Sequence, residues 1–188
     1  MRRMAVFLLG AFVFGVAIAA IKGQAAGARD AFGNLSAVWV VVPFLAGTRY
    51  RRIWQAVAIG TATTMVAFFG FYLAEAAILD LGTHSWQTRI SLTLGSGHVY
   101  ETWGLLSGAV YGALGGLWAT RSRLIGPVAV GLAFLCEPLI VLFLVRANIW
   151  GGGGLFQYPW LWLGEVAVGV AMIALVFATR GGRAQPTA

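Results

Sequence analysis

Six long apolar runs, separated by short loops where most of the basic residues gather, constrain this chain more than any other feature. They lie at about 4–21, 31–48, 53–79, 100–119, 124–145 and 158–179. Crossing a hydrocarbon core of roughly 30 Å as a helix takes about 20 apolar residues, and only a helix or closed barrel satisfies its own backbone there. A soluble domain of 188 residues could not bury a composition that is 60% hydrophobic and 10% charged. The expected fold is therefore all-α: a single polytopic membrane domain, 1–188, of about six transmembrane helices. The third run is long enough to tilt, and Pro43 should kink the second. The first run follows Arg2 and Arg3 as a signal peptide would, but it is longer than an ordinary signal core and is expected to be a retained helix.

Orientation follows from the cations. With six alternating spans, Arg2, Arg3, Arg49, Arg51, Arg52, Arg121, Arg123, Arg180 and Arg183 fall on one side, against Lys22, Arg29, Arg89 and Arg146 on the other. The positive-inside bias then puts both termini in the cytoplasm. The net charge of +7 is spread over loops rather than gathered on a groove-sized basic face, so no nucleic-acid partner is expected. The single cysteine, Cys136, sits inside an apolar run and offers neither a disulfide framework nor a thiolate metal cluster.

Small residues mark helix seams. Gly104, Gly108, Gly112 and Gly116 recur every four residues in the fourth run, as do Ala11, Gly15 and Ala19 in the first, giving flat faces for close backbone contact. No internal repeat supports an inverted-repeat transporter.

The acids carry the functional argument. Asp30, Glu75, Asp80, Glu101, Glu137 and Glu165 all fall in the outer half of the expected bundle. A carboxyl at such depth costs several kcal/mol unless it is neutral, paired or hydrated, so it turns inward. Tyr72, Phe134 and Trp162 each precede a deep glutamate (Glu75, Glu137, Glu165) by three positions, which sets ring and carboxyl on one helical face. Three such faces predict a shared acid-and-aromatic chamber; three separately satisfied glutamates are the plainer alternative. Trp39, Tyr100, Glu101 and Trp103 are the next lining candidates. The segment 80–100, with His84, Trp86, Arg89 and His98, and the run Gly151–Gly154 are expected to be outer loops able to act as a lid. Asp80, His84, His98 and Glu101 have the spacing of a loose divalent-metal set, but interfacial histidines explain them better, and no metal or other cofactor is expected.

Two functional classes use such a chamber. In the first, a desolvated carboxylic acid protonates an alkene or epoxide of a lipophilic substrate and ring faces stabilise the cation, as in terpene cyclisation. In the second, the bundle is a solute-binding subunit similar in plan to the S components of energy-coupling-factor vitamin transporters, with the small-residue stripes docking a partner. A purely structural role explains the helices but not the carboxyls.

The segments Gly33-Asn34-Leu35-Ser36-Ala37-Val38-Trp39, Phe71-Tyr72-Leu73-Ala74-Glu75 and Gly131-Leu132-Ala133-Phe134-Leu135-Cys136-Glu137 resemble an uncharacterised family of small bacterial membrane proteins, and this likeness spans most of the chain. Within that shape the chain is also similar, more loosely, to the integral-membrane terpene cyclases of bacterial indole sesquiterpenoid pathways, the drimentine and xiamycin kind. That resemblance implies acid-initiated cyclisation of a farnesyl-type chain in the bacterial cytoplasmic membrane, with catalytic acids among Glu75, Glu137 and Glu165 and Glu101 in reserve. No Asp-rich diphosphate-binding motif is present, which disfavours initiation by diphosphate ionisation.

The orientation is directly testable: a fluorescent protein fused after residue 188 should fluoresce in intact cells, whereas alkaline phosphatase at the same point should stay inactive. The opposite pattern refutes a cytoplasmic C-terminus.

Overall fold

The computed structural model describes residues 2–23, 27–78, 85–121, 124–147 and 157–181, and among them the regular structure is entirely α-helical. The helices are α1 (Arg2–Lys22), α2 (Ala28–Gly33), α3 (Ser36–Gly47), α4 (Ile53–Ile78), α5 (Trp86–Thr120), α6 (Ile125–Arg146) and α7 (Pro159–Gly181). Five segments are long and apolar enough to cross a membrane: Met4–Lys22, Ala28–Gly47, Ile53–Ile78, Ile125–Arg146 and Pro159–Ala178. Leu9, Trp54, Phe69, Leu139, Phe143, Leu163 and Leu175 are all more than half exposed, which in water would leave apolar surface on every side. This is a helical membrane protein.

Two expectations change, and the count of six spans is matched in part. Five of the expected spans are long and apolar enough by composition, while α5, 35 residues long, is not among them. Its glycines, with Glu101, Ser107 and Tyr111, lower its mean hydropathy. The expected lid loop is shorter than read: Ser85 caps α5 by accepting from the Thr88 N–H, and Trp86 onward is helical. His84, Asp80 and Gly151–Gly154 lie outside the described residues, as do the side chains of His98 and Tyr100. The second span is interrupted at Asn34 and Leu35, between α2 and α3, while the helix continues through Pro43.

α4 is the organising helix, packing on α1, α3 and α5; α7 packs on α6, and α3 and α5 join the two groups. The glycine seams work inside the chain. A methyl carbon added at Gly60 would lie 2.6 Å from the Gly112 Cα, and one at Gly112 would collide with the Ala56 carbonyl oxygen. Gly108 faces the Thr64 side chain and Gly104 the Phe68 ring. In α1, Gly15 meets the backbone of α4 at Ala67, with Ala11 and Ala19 buried on the same stripe. Lipid gives helices no hydrophobic reason to associate, so this backbone approach supplies the packing contacts. Thr63 and Thr64, buried in the seam, return their hydroxyl protons to α4 carbonyls at Ile59 and Gly60, at 2.9 and 3.0 Å.

A substitution in the seam should be costly where one outside it is not. Gly112→Val should lose about 1–3 kcal/mol by overpacking, whereas Gly164→Ala, which meets nothing within 4 Å, should be neutral or slightly stabilising. Thermal unfolding in detergent micelles separates the two.

Candidate functional site

The break in the second span creates a problem that the fold must solve. Helix α2 ends at Gly33, which lies so close to α1 that an added methyl would come within 2.6 Å of the Lys22 Cβ. Asn34 leaves the helix there, its side-chain amide donating to the Asp30 carbonyl at 2.9 Å. Leu35 then takes an extended conformation as the N-cap of α3. Leucine is among the poorest N-cap residues because it has no side-chain acceptor. Instead Leu35 is buried with Ala31, Val141, Leu161 and Trp162. The first N–H groups of α3 thus point into the bundle with no local partner and no water to take them.

Glu137, a hundred residues away on α6, supplies the cap. The Ser36 N–H donates to its Oε1 and the Ala37 N–H to its Oε2. The positive end of the α3 dipole and two backbone donors hold the buried carboxylate as an anion-binding helix terminus would. Phe134, one turn earlier, packs with Ala37, Val40, Phe44 and Val130 and fixes α6 against α3. Pro138 follows at once, and its missing N–H frees the Phe134 carbonyl within α6.

Glu165, on α7, completes the pair. It is only 4% exposed, and its carboxyl is near enough to that of Glu137 for the two to act on each other. Among the described residues neither Glu165 oxygen makes a hydrogen bond of acceptable geometry, and its polar neighbour is the Glu137 carboxyl. One carboxyl is fully engaged by backbone; the other is buried, adjacent and unsatisfied. Such a group is expensive in hydrocarbon, which makes Glu165 the leading candidate for a functional position. Trp162, one turn before Glu165 on α7, belongs to the cluster that surrounds Leu35.

The third deep glutamate stands apart. Glu75 accepts from the Lys22 Nζ at 2.7 Å, and Asp30 lies 3.9 Å from the same ammonium. Lys22 also sits 5.3 Å from the centroid of the Phe71 ring. Arg29 ties this corner by donating to the Ile21 and Ala20 carbonyls, at 2.8 and 2.9 Å, so that it caps α1 from α2. Glu75 is thus the counter-ion of a clamp joining α1, α2 and α4, and the three carboxyls do not converge on one point. Tyr72 and Trp39 belong to an aromatic group beside that clamp: Trp39 meets Phe14, Phe68 and Phe71 at 4.9–5.5 Å between centroids, and Tyr72 meets Phe68 and Phe71. Phe32 and Val38 border both this group and the Leu35–Trp162 cluster, so the broken span lies between the ion-pair corner and the carboxyl pair.

Of the remaining candidates, Glu101 is half-buried within α5 rather than at its start. Trp103 is 68% exposed on the outer surface of the bundle, because its helix turns Gly104, not Trp103, toward α4. No cluster of three metal-ligating side chains occurs among the described residues. Two features escaped sequence reading: the helix break and its capping from α6. Their only local signal was Gly33-Asn34, a turn-forming dipeptide inside an apolar run.

Glu137→Ala should strand two buried donors and destabilise the fold by about 2–4 kcal/mol. Glu137→Gln, whose amide oxygen still accepts one N–H, should lose distinctly less. Backbone amide exchange at Ser36 and Ala37 checks the assignment: both should exchange faster in the alanine variant.

Neither a family model, nor a curated protein, nor a solved structure matches this chain.

Proposed function

We propose that this chain is an integral-membrane terpene cyclase, with Glu165 as the proton donor and Glu137 as the group that positions it. The observation that carries the reading is the buried Glu165 carboxyl, unpartnered beside a Glu137 carboxyl whose two oxygens are already taken by backbone N–H groups. Two adjacent anions in hydrocarbon are prohibitive, and the α3 terminus favours the charge on Glu137, so the pair carries its proton on Glu165. The reading rests on this pair and its neighbouring rings, not on an enclosed chamber.

The step balances without a cofactor. The π pair of a terminal alkene in a farnesyl-type chain takes the Glu165 proton, forming a C–H bond and leaving a cation at the more substituted carbon. An internal alkene attacks that cation to close the C–C bond. Loss of a proton from the final cation, returned to a carboxylate, makes the overall change an isomerisation. Trp162 and Phe134 each lie one turn before a member of the pair and pack beside the start of α3, and each well-placed face contributes roughly 1–2 kcal/mol toward a desolvated cation. Trp39 and Tyr72 extend the aromatic surface past the helix break. Glu75 has no donor role here, since its charge is bound to Lys22. The solute-carrier alternative loses one support, because the glycine stripe that would dock a partner is spent on α3 and α4.

α5 is taken as a sixth crossing, since Leu105, Leu106 and Val110 expose an apolar strip along the half of the helix that packs on α3 and α4. With six crossings both termini are cytoplasmic, and the membrane is the bacterial cytoplasmic membrane. The carboxyl pair then lies in the outer half, and the substrate arrives from lipid.

Membranes containing the chain should convert a linear farnesylated indole to an isomer of equal mass and altered retention, without ATP. In D2O the product should gain one deuterium. Glu165→Gln should lower turnover by about 100-fold or more, the range of a lost general acid. Wild-type turnover without deuterium uptake, or an unimpaired Glu165→Gln variant, contradicts the assignment.

A further inference from the structure

At the end of the bundle away from the carboxyls lies a groove of about 540 Å³, lined by Leu45, Thr48, Arg49, Trp118 and Ala119. It opens where α3 ends and α5 ends, beside the short turn that leads into α4. Arg49, Arg51, Arg52 and Arg121 are all exposed at this end. None of them makes an ion pair with another described residue. The described acids, Asp30, Glu75, Glu101, Glu137 and Glu165, lie further along their helices toward the other end. This end therefore carries cationic charge that the described residues do not neutralise.

The walls of the groove match one kind of occupant. Arg49 supplies a planar fork suited to phosphate oxygens, and a guanidinium reads that geometry better than an ammonium. The Thr48 hydroxyl donates its proton to the Leu45 carbonyl at 2.7 Å and is held in place. Leu45 is about half exposed, and Trp118, packed on Phe44 at 5.6 Å between centroids, gives an amphipathic edge of the type found at the membrane interface. A cationic rim over an apolar wall, at the ends of membrane-spanning helices, fits a phosphate group with a hydrocarbon tail.

We propose that this groove binds the phosphate headgroup of an anionic phospholipid in the adjoining leaflet, with Arg49 as the principal contact, Arg51, Arg52 and Arg121 as the surrounding field, and Leu45 and Trp118 against the first acyl carbons. This assignment is independent of the cyclase reading, since it uses none of the same residues. The surface charge contributed by each arginine near a bilayer is worth about a fivefold change in affinity, by the per-residue attraction of basic groups to anionic lipid.

The full chain, purified in zwitterionic detergent, can be titrated with phosphatidylglycerol, with phosphatidylcholine of the same acyl chains, and with inorganic phosphate, reading bound lipid by native mass spectrometry and the unfolding temperature in parallel. Phosphatidylglycerol should bind and raise the unfolding temperature where phosphatidylcholine does not. Arg49→Gln should weaken it about fivefold, and Leu45→Trp, which fills the groove, should do so without changing the charge. Arg146→Gln, exposed on α6 at the opposite end, should leave it unchanged. Equal binding of the two lipids, an unaffected Arg49→Gln, or an equal loss in Arg146→Gln overturns the site. Stabilisation by inorganic phosphate equal to that by phosphatidylglycerol overturns its assignment to a lipid.

Discussion

Hydrocarbon offers a polar group nothing to bond with, so each charge and each free N–H inside this bundle must find its partner in the protein. The contact between the Glu137 carboxylate and the first N–H groups of α3 meets that demand on both sides at once. The helix break leaves donors that Leu35 cannot cap, and the buried carboxylate needs donors that α6 cannot provide. Neither element is tolerable alone. Together they pin α3 to α6 and set the depth at which the second span is interrupted.

The same demand arranges the rest of this end of the bundle. Lys22 and Glu75 neutralise each other where α1 and α4 end, and Arg29 closes the exposed carbonyls of α1 from the neighbouring short helix. Glu165 is the exception, a carboxyl brought against an already satisfied one and without a well-formed hydrogen bond among the described residues. That contrast between Glu165 and the paired Lys22–Glu75 corner is what the proposed cyclase chemistry is built on. The backbone seams of α1, α4 and α5 form the rigid frame that keeps α3, α6 and α7 in register around the pair.

Much of this frame was legible in the sequence, and the reasons for what was not are physical. Apolar length and small-residue spacing located α1, α4, α6 and α7 within a few residues, and the glycine stripe was read as a packing seam, which Gly112 against Ala56 bears out. The break at Asn34 was hidden because Leu35, Ala37 and Val38 keep the run apolar straight through it. The first third of α5 was taken for a loop because its polar residues obey no lipid-facing pattern. Glu75 was grouped with Glu137 and Glu165 because all three follow a ring at the same spacing. That spacing describes one helix face, whereas Lys22, which decides the role of Glu75, comes from another helix and was counted only as a loop charge. Pairing between elements remote in sequence is where reading by period ends.

The proposal comes down to a division of labour between two adjacent carboxyls: Glu137 held by the α3 backbone, and Glu165 as the proposed proton donor. Infrared difference spectroscopy of the protein in lipid at neutral pH, comparing wild type with Glu165→Gln, reads that proton through the carboxylic-acid carbonyl stretch and its shift in D2O. The account predicts a protonated-acid band in the wild type that vanishes in the variant. A band that survives Glu165→Gln, or a wild-type spectrum without one, contradicts it.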